Sequence, residues 1–255
     1  MALTTRYISA IYDFRATLPV DISLYRPYLE CDLALVRHFV SRTESLIDVG
    51  CGPGWLLEAL LRDDYVQIYG IDISRNSIEA TRLKCDSYRK GAVELYQTDV
   101  FDRPPIGPFD AATSFLSCVG SFGSGEDARF LNSIGHLIRK GGTLLLTALC
   151  LEGLDALVGT TQISSVTTGT TIISDVTFER KTNSITITQH IRNDNDGSLI
   201  STCPTESMRL YSLDELISLI KGSTFCSVTA YESCKVPDVL FDIDRTGIAL
   251  FKATR

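Results

Sequence analysis

Residues 46–55 have the sequence LIDVGCGPGW, in which three glycines follow a short apolar run. This order predicts a buried strand, a tight glycine turn and then a helix from Gly54 to Leu61. Such a turn lets a ligand lie against bare backbone at the helix N-terminus. The spacing G-x-G-x-G departs from the dinucleotide fingerprint, because bulky Trp55 stands where close helix packing requires Gly or Ala. A pyrophosphate-bearing cofactor is therefore disfavoured, and an ordinary structural turn stays the alternative.

The segment from residue 45 to residue 149 repeats an alternation of a short apolar run, a turn and an amphipathic stretch. That alternation is typical of βα units that feed a parallel sheet. Ser74 is the predicted N-cap of the second helix, and the basic turn Lys140-Gly141-Gly142 is predicted to end the third. Strands are predicted at residues 45–49, 66–71, 93–97, 110–115 and 143–149, and helices at 54–61, 75–88 and 126–139.

Residues 160–205 change character, since Thr and Ser crowd in and apolar residues alternate with polar ones. A period of two predicts antiparallel strands with one solvent-exposed face, joined by turns at residues 180–183 and 195–197. We interpret this segment as an insertion rather than a domain with its own core. On either side of it, the pattern predicts a helix at 26–40, a helix at 212–221 opened by a capping box of Ser212 and Glu215, and strands at 226–231 and 247–252.

The charge and composition narrow the possible partners. The chain has 255 residues, with 24 Lys and Arg against 31 Asp and Glu, a net charge of −7. Because no stretch concentrates positive charge, no nucleic-acid partner is expected. The sequence shows neither an apolar run of membrane-spanning length nor a secretory signal, so we expect a cytoplasmic protein without a membrane partner. The eight cysteines contain no C-x-x-C pair and are expected to be free thiols.

Two further carboxylates stand at the ends of the next predicted strands. Asp72 follows Gly54 by 18 residues at the end of the second strand, and Asp99 ends the third. The carboxyl ends of parallel strands meet at the rim where open α/β sheets bind ligands. There Asp72 could accept hydrogen bonds from both ribose hydroxyls of an adenosine, and Asp99 could accept from the exocyclic amine of adenine. Alone, Asp72 could equally be a helix-capping carboxylate; together, the strand ends predict a nucleoside cofactor.

Several stretches together resemble the class I S-adenosylmethionine-dependent methyltransferases. They are DVGCGPG at 48–54, Asp72, Asp99, FDAATSFLSCVGSF at 109–122 and LIRKGGTLLL at 137–146. A second set of stretches resembles the small-molecule branch, which includes glycine and amino-sugar N-methyltransferases. These stretches are Tyr12-Asp13, residues 21–25, the β insertion and RLYSLDEL at 209–216. Trp55 and Cys118 depart from the family pattern.

The resemblance implies an α/β fold with a Rossmann-like, doubly wound, mostly parallel seven-stranded sheet whose last strand is antiparallel. An antiparallel β insertion and an N-terminal helical arm complete it. We expect one methyltransferase domain over residues 1–255, with an arm or lid at 1–42, a cofactor-binding core at 43–150, the insertion at 151–210 as a substrate cap and the remaining core at 211–255.

The implied activity is methyl transfer from S-adenosylmethionine to a nitrogen or oxygen of a small molecule, with carbon a weaker alternative, of the kind found in natural product biosynthesis. S-Adenosylhomocysteine is the expected product of the cofactor. The resemblance assigns Gly50, Gly52 and Gly54 to the methionine part of the cofactor and Asp48 to its amino group. It assigns Asp72 to the ribose, Asp99 and Val100 to the adenine, and Phe115 and Leu116 to the cleft. Cys51 and Ile73 are further expected cofactor contacts, and Tyr12 and Tyr25 lie in the arm expected to close over the pocket. For both tyrosines, aromatic packing is the alternative role.

The reaction needs a nucleophile held about 3 Å from the methyl carbon and little acid or base chemistry. The expected substrate contacts are Ser117, Ser121, Arg209 and Tyr211. The serines could instead form turns, and Arg209, whose guanidinium suits a carboxylate, could form an ordinary ion pair. His190 could accept a substrate proton or face solvent on its strand, and Tyr12 is a second catalytic candidate. No carboxylate cluster with histidine suggests a metal, so none is expected.

Three other functions stay open. A nicotinamide-dependent oxidoreductase is opposed by Trp55. A cofactor-binding but inactive regulatory or partner subunit would display an apolar patch in place of a substrate mouth. A nucleic-acid methyltransferase is opposed by the acidic charge. An exposed β insertion could also pair between subunits to give a homodimer.

Overall fold

The strand that leads into the glycine loop, β1 (Ser45–Val49), lies inside a mixed sheet. The computed structural model describes Asp13 and residues 26–116, 119–165, 168–231, 233–236, 239–242 and 248–255. Before the insertion it contains α1 (Arg26–Phe39), β1, α2 (Trp55–Arg62), β2 (Gln67–Asp72), α3 (Arg75–Tyr88), β3 (Val93–Gln97), β4 (Phe109–Ser114), α4 (Ser124–Leu137) and β5 (Ile138–Leu149). After these come α5 (Leu154–Leu157), β6 (Gly159–Ser165), β7 (Thr170–Glu179), β8 (Ser184–Asn193), β9 (Leu199–Thr202), β10 (Glu206–Arg209), α6 (Leu213–Lys221), β11 (Ser227–Tyr231), β12 (Ser233–Val236), β13 (Val239–Asp242) and β14 (Ile248–Thr254).

Seven of these strands form one sheet in the order β11-β14-β5-β4-β1-β2-β3. β1 pairs in parallel with β2 on one side and with β4 on the other. The last strand, β14, runs antiparallel to both β5 and β11. The predicted fold class, a mostly parallel seven-stranded sheet with an antiparallel last strand, is confirmed. Because the strand order reverses between β1 and β4, their carboxyl ends border the crevice in which open sheets bind ligands.

Both faces of the sheet are covered by helices, which explains why its strands are almost wholly apolar. Leu46 belongs to the buried cluster that includes Leu57 and Leu61 of α2. The next residue, Ile47, points to the other face and belongs to the cluster that includes Leu131 of α4 and Leu216 of α6. The alternation along β1 therefore places helices on both sides and leaves the strand ends as the open rim.

Two of the predicted helix starts have the expected caps. The Ser74 hydroxyl accepts a hydrogen bond from the backbone N–H of Ser77 at the start of α3. Ser212 and Glu215 form the predicted capping box at the start of α6, each side chain accepting from the other residue's backbone N–H. Both helices therefore begin where the sequence predicts.

The insertion forms a separate antiparallel sheet in the order β10-β8-β7-β6, with β9 paired to β8. Its predicted turns at residues 180–183 and 195–197 connect β7 to β8 and β8 to β9. The inner face carries Ile185 and Met208, which pack with Leu149 and Leu154 at the end of β5 and in α5. The insertion therefore shares its apolar contacts with the chain segment that leaves the main sheet.

One local prediction is wrong, and one hairpin was not predicted. The third helix ends at Leu137 rather than Arg139, and β5 already begins at Ile138, so the segment predicted as a basic last turn is strand. Tertiary contacts decide this, since Ile138 pairs with Phe109 and the Gly141 N–H donates to the carbonyl of Arg255. The hairpin of β12 and β13 was not predicted from the pattern of apolar and polar residues.

Candidate functional site

The glycine loop after β1 is held against the end of β2. The backbone N–H groups of Gly50 and Cys51 both donate to the carbonyl of Ile71, at 2.8 and 3.1 Å. Gly50, Gly52 and Gly54 have φ of 76°, 52° and 78°, a region that side chains other than glycine rarely adopt. The loop therefore needs glycine for its backbone path.

The three glycines differ in what surrounds them. A Cβ added to Gly50 or Gly52 would meet no atom within 4 Å. A Cβ on Gly54 would lie 2.5 Å from the Thr81 methyl group, so this glycine lets α3 pack on the loop. The Thr81 hydroxyl also donates to the carbonyl of Gly52. The first two glycines thus border open space, as a cradle for a ligand requires, and the third serves packing.

Asp72 ends β2 beside this loop and braces it. Its Oδ2 accepts from the Gly52 N–H at 2.8 Å, and its Oδ1 accepts from the Ser74 N–H at 2.7 Å. The residue is buried, and burial raises the pKa of its carboxyl group above the ordinary value. The Ile73 N–H is a further backbone donor to this carboxylate, and since a carboxylate has about four acceptor positions, it can still accept from a ligand.

Asp48, in β1, is the second buried carboxylate of the rim. Its side chain is 5% exposed, and its Oδ1 accepts from the Thr113 hydroxyl at 2.7 Å. Burial raises the pKa of Asp48 to about 7, against the lowering effect of Thr113 and with a further rise from the negative charge of Asp72. This carboxyl group therefore changes charge near neutral pH.

Asp32 in α1 faces the same region, which sequence reasoning missed. It lies one helical turn before the buried Leu35 and Val36. Burial raises the pKa of Asp32 well above its ordinary value, and the nearby Asp48 raises it further. The apolar periodicity of α1 gives a weak signal for Asp32, since a lone carboxylate on the buried face of a helix is uncommon.

The end of β3 lies beside the end of β2, because the Thr98 N–H donates to the carbonyl of Asp72. Asp99 follows, and its Oδ1 accepts from the Phe101 N–H at 2.9 Å, which caps a short 3₁₀ turn that begins at Val100. Val100 is buried, whereas Asp99 is partly exposed. Ile73, after β2, is also partly exposed. The structure thus brings the predicted ribose and adenine residues together along one rim.

The end of β4 supplies Phe115 and Leu116. Phe115 packs in the apolar clusters that join α1 to the sheet. Leu116 is 48% exposed and has φ of 46°, a strained conformation for a residue other than glycine. Its N–H donates to the buried hydroxyl of Thr147 at 2.6 Å, which holds this backbone in place. Strain of this kind concentrates at ligand sites.

A second polar cluster lies after β4 around Asp127, at the start of α4. Asp127 is fully buried and accepts from the Gly120 N–H at 2.9 Å and from the Tyr211 hydroxyl at 2.7 Å. Burial raises the pKa of Asp127, and that of Tyr211 is raised by burial and by this carboxylate. The sequence placed Asp127 only in a helix start, so its part in this cluster was missed.

Arg209 joins this cluster through the backbone, since its N–H donates to the carbonyl of Gly120 at 2.8 Å. Its guanidinium lies over the Tyr211 ring and pairs with Glu215. The Nε of Arg209 and the hydroxyl of the buried Ser121 make no hydrogen bond within the described part of the chain. Ser121, Arg209 and Tyr211, predicted separately as substrate contacts, are thus gathered around one loop.

His190 lies elsewhere, on β8 of the insertion sheet. It pairs with Ile173 and Thr202 across the neighbouring strands, and its Nδ1 lies 3.0 Å from the Thr202 hydroxyl. Its side chain points to the face opposite Ile185, the residue that packs on the β5 end, because the two differ by an odd number of positions. Three other predicted site residues, Tyr12, Tyr25 and Ser117, lie outside the described residues.

No helix in the described part of the chain combines the length and apolar composition needed to span a membrane. Among the same residues, no group of three or more His, Cys, Asp or Glu side chains is arranged to hold a metal ion.

Comparison with known sequences identifies the segment that carries the rim. Residues 46–142 match the family described as Methyltransferase domain. The O-methyltransferase resE of Aspergillus sclerotiorum is 31% identical over 115 residues, which are 44% of this chain and 42% of that relative. The match to this curated relative thus spans less than half of its length.

Solved structures with the same fold cover nearly the whole chain. An S-adenosylmethionine-dependent methyltransferase from Clostridium acetobutylicum has a TM-score of 0.67 at 16% identity, over 98% of both chains. The sugar N-methyltransferase KedS8 from Streptoalloteichus has 0.67 at 17%, over 100% of this chain and 94% of its own. CalS10 of Micromonospora echinaspora, an amino pentose methyltransferase, has 0.67 at 18%, over 100% and 98%.

These comparisons and the geometry of the rim indicate the class of protein that this chain resembles. Residues 46–142 are similar to the methyltransferase domain family, and the chain shares its fold with solved S-adenosylmethionine-dependent methyltransferases. The match and the shared fold support the predicted resemblance to this family over residues 46–142.

Proposed function

We propose that this chain transfers a methyl group from S-adenosylmethionine to a nitrogen or oxygen atom of a small molecule. The observation that carries the proposal is the rim itself: open glycine backbone at Gly50 and Gly52 lies beside the buried carboxylates Asp48 and Asp72. A ligand with a cationic amino acid part and a ribose matches this combination of bare backbone and carboxylates. The match of residues 46–142 to a methyltransferase domain supports the same function.

The rim residues fit the parts of this cofactor. Gly50, Cys51, Gly52 and Gly54 would provide the backbone wall for the methionine part, and Asp48 would accept hydrogen bonds from its amino group. Asp72, with Ile73 beside it, would use its spare acceptor positions for the ribose hydroxyls, while Asp99 and Val100 would hold the adenine and Phe115 and Leu116 would line the cleft.

When bound, S-adenosylmethionine supplies a methyl group on a positively charged sulfur, open to in-line displacement. The chain's own contribution is position and charge. The glycine loop is pinned to Ile71 and braced by Asp72, so it offers a rigid surface that needs no rearrangement. Asp48 and Asp72 place negative charge beside this surface in a buried setting, where electrostatic attraction is stronger than in water.

The acceptor region is inferred from the loop after β4. The Ser121 hydroxyl and the Arg209 Nε are buried and lack hydrogen-bond partners within the described residues, so a polar group of an acceptor that reached this loop would satisfy them. The pairing of Arg209 with Glu215 offsets part of its charge. The Tyr211 hydroxyl donates its hydrogen bond to Asp127. Tyr211 would therefore act through its ring, which holds the Arg209 guanidinium in place. Ser117, His190 and Tyr12 stay predictions as acceptor or proton-handling residues.

The similar structures suggest which acceptors to test first. KedS8 is described as a sugar N-methyltransferase and CalS10 as an amino pentose methyltransferase, whereas resE is an O-methyltransferase. We therefore propose amino sugars and hydroxylated small molecules as the two acceptor groups, and a place for the enzyme in natural product biosynthesis.

The test has two parts. Calorimetry with S-adenosylhomocysteine should give saturable binding to one site, and NADH should not compete for it. Incubation with methyl-labelled S-adenosylmethionine and a panel of amino sugars and hydroxyl compounds should then label one acceptor, with the methylated atom identified by NMR. Absence of S-adenosylhomocysteine binding would overturn the proposal. Binding without turnover on a broad panel would instead support an inactive partner subunit.

A further inference from the structure

Asp13 is the residue before Arg26 that the structure describes, and it contacts the start of α3. The Ser74 hydroxyl donates to Asp13 Oδ1 at 2.6 Å, and the Asn76 N–H donates to the same oxygen at 3.3 Å. The Asn76 side-chain amide donates to the Asp13 carbonyl at 3.1 Å. Three hydrogen bonds thus join one arm residue to the first turn of a helix that begins more than 60 residues later.

The start of α3 lacks the charge that a helix N-terminus prefers. Its first turn contains no acidic residue and carries Arg75, although the partial positive charge of the exposed N–H groups favours an anion there. Asp13 supplies that anion from a distant part of the chain.

The contact also determines how Ser74 uses its single hydroxyl proton. That proton is donated to Asp13, and a lone pair of the same oxygen accepts from the Ser77 N–H at 3.0 Å. The same residue's backbone N–H donates to Asp72 at 2.7 Å. Asp72 in turn accepts from Gly52. An unbroken path of hydrogen bonds therefore runs from Asp13 through Ser74 and Asp72 to the glycine loop.

We propose that Asp13 is a positioning residue for the adenosine site: by holding Ser74, it orients the Asp72 carboxylate that braces Gly52 and binds the ribose. This inference rests on the proposed function, since it assigns Asp72 to a ribose. Asp13 acts through Ser74 rather than on the reacting atoms.

The negative charge of Asp13 has a separate effect on Asp72. After burial, which is the main cause, Asp13 also raises the pKa of the Asp72 carboxyl group. The other titratable groups that face Asp72 are Asp48 in β1 and Cys51 in the glycine loop. Removing the charge of Asp13 lowers the pKa of Asp72, so the carboxylate needed for ribose binding persists to lower pH.

Two substitutions separate the hydrogen bonds from the charge. Asp13→Asn keeps a carbonyl Oδ1, which can accept from both Ser74 and Asn76, and loses only the charge. Asp13→Ala loses the charge and both side-chain hydrogen bonds. Asp86→Ala is the matched control: it removes a carboxylate that accepts from the Gly91 N–H at 2.9 Å at the opposite end of the same helix.

The full-length protein is titrated with S-adenosylhomocysteine, with Trp55 fluorescence as the signal. Trp55 is the single tryptophan, follows the glycine loop and has the Lys84 ammonium 3.1 Å from its ring centre. Asp13→Ala should weaken binding about tenfold or more, as loss of hydrogen bonds to a charged group does. Asp13→Asn should bind like the wild type above neutral pH, with the acidic limb of its binding profile displaced to lower pH. Asp86→Ala should match the wild type throughout.

A ligand-free measurement separates this inference from the proposed function. Amide hydrogen exchange at Gly52 and Ser74 should be faster in Asp13→Ala than in the wild type and unchanged in Asp86→Ala. If the wild type fails to bind S-adenosylhomocysteine, the proposed function fails, and exchange still tests the positioning path. Wild-type affinity and wild-type exchange in Asp13→Ala would overturn the inference. Should Asp13→Ala fail to fold, Ser74→Ala removes the hydroxyl that Asp13 holds, and wild-type affinity and wild-type exchange at Gly52 in that variant would overturn the inference.

Discussion

The hydroxyl of Tyr211 donates a hydrogen bond of 2.7 Å to Oδ2 of Asp127, across 84 residues of sequence. Both residues are buried, and Asp127 also accepts from the Gly120 N–H. This contact joins the segment that leaves the insertion to the start of α4. The loop that carries Ser121 is therefore shaped by residues from two distant parts of the chain.

Replacing Tyr211 by Phe should destabilise the protein. The change removes a donor to a buried carboxylate, a loss of roughly 1–3 kcal/mol in the free energy of unfolding. Urea denaturation measures it, with Tyr88→Phe as the control, because Tyr88 is 50% exposed. Burial raises the pKa of Asp127 in the folded state, whereas the hydrogen bond from Tyr211 lowers it by stabilising the ionised carboxylate, so the effect of Tyr211→Phe should grow as rising pH ionises Asp127. Equal midpoints for the two variants would contradict the structural role of this bond.

Alanine at Gly52 and at Gly54 should have different consequences. Both substitutions strain a left-handed backbone by about 1–2 kcal/mol. Gly54→Ala also places a methyl group against Thr81, so its thermal midpoint should fall further. Gly52→Ala has room for its methyl group but extends it into the ligand cradle, so it should lose S-adenosylhomocysteine affinity out of proportion to its stability. Calorimetry and thermal denaturation of both variants compare the two losses, and identical patterns would argue against the cradle.

Asp48 should make both stability and cofactor binding depend on pH. Its folded-state pKa of about 7 lies above the ordinary value. Its contribution to stability is thus full below the unfolded-state pKa and is lost as pH rises through about 7. The stability of Asp48→Asn should not fall with pH in this way.

Binding should show the opposite trend. An ammonium group on the ligand favours the ionised carboxylate, so S-adenosylhomocysteine affinity should rise as pH approaches the pKa of Asp48 from below. Binding in that range should release a proton, which calorimetry in buffers of different ionisation enthalpy detects. An affinity that does not change with pH in the wild type would remove Asp48 from the amino group site.

Asp72→Ala should be the most damaging single change for cofactor binding. It removes the predicted ribose acceptor and the brace on Gly52 together. Loss of several hydrogen bonds to a charged group amounts to about 100-fold in affinity. Equilibrium binding of S-adenosylhomocysteine measures the change. Asp86→Ala, on the exposed end of α3, serves as a control, and unchanged affinity in Asp72→Ala would count against the assignment of this rim.

Most of the core fold could be predicted from local pattern. Strand β1, the glycine turn, Ser74 as an N-cap and the Ser212 capping box each depend on residues close in sequence. Apolar runs of strand length and glycines that require positive φ leave few alternatives to a βα unit. The boundary at Ile138 was wrong because its strand pairing with Phe109 overrides the local helical pattern.

The candidate site divides in the same way. Asp72 and Asp99 could be predicted because strand ends in a parallel sheet meet at one rim, whereas Asp48 was expected only from the resemblance to a family. The positions of Asp32, Asp127 and Asp13 in these polar contacts could not be predicted from the sequence.

By itself, the sequence determined the alternation of strands and helices in the core, the glycine loop and the carboxylates Asp72 and Asp99 at the strand ends, because these depend on spacing along the chain. Only the tertiary structure decided that Asp13 holds Ser74 and that Tyr211 holds Asp127. Those contacts join residues 61 and 84 positions apart. Burial and hydrogen-bond geometry between such distant groups arise only when the chain has folded, so no local periodicity encodes them.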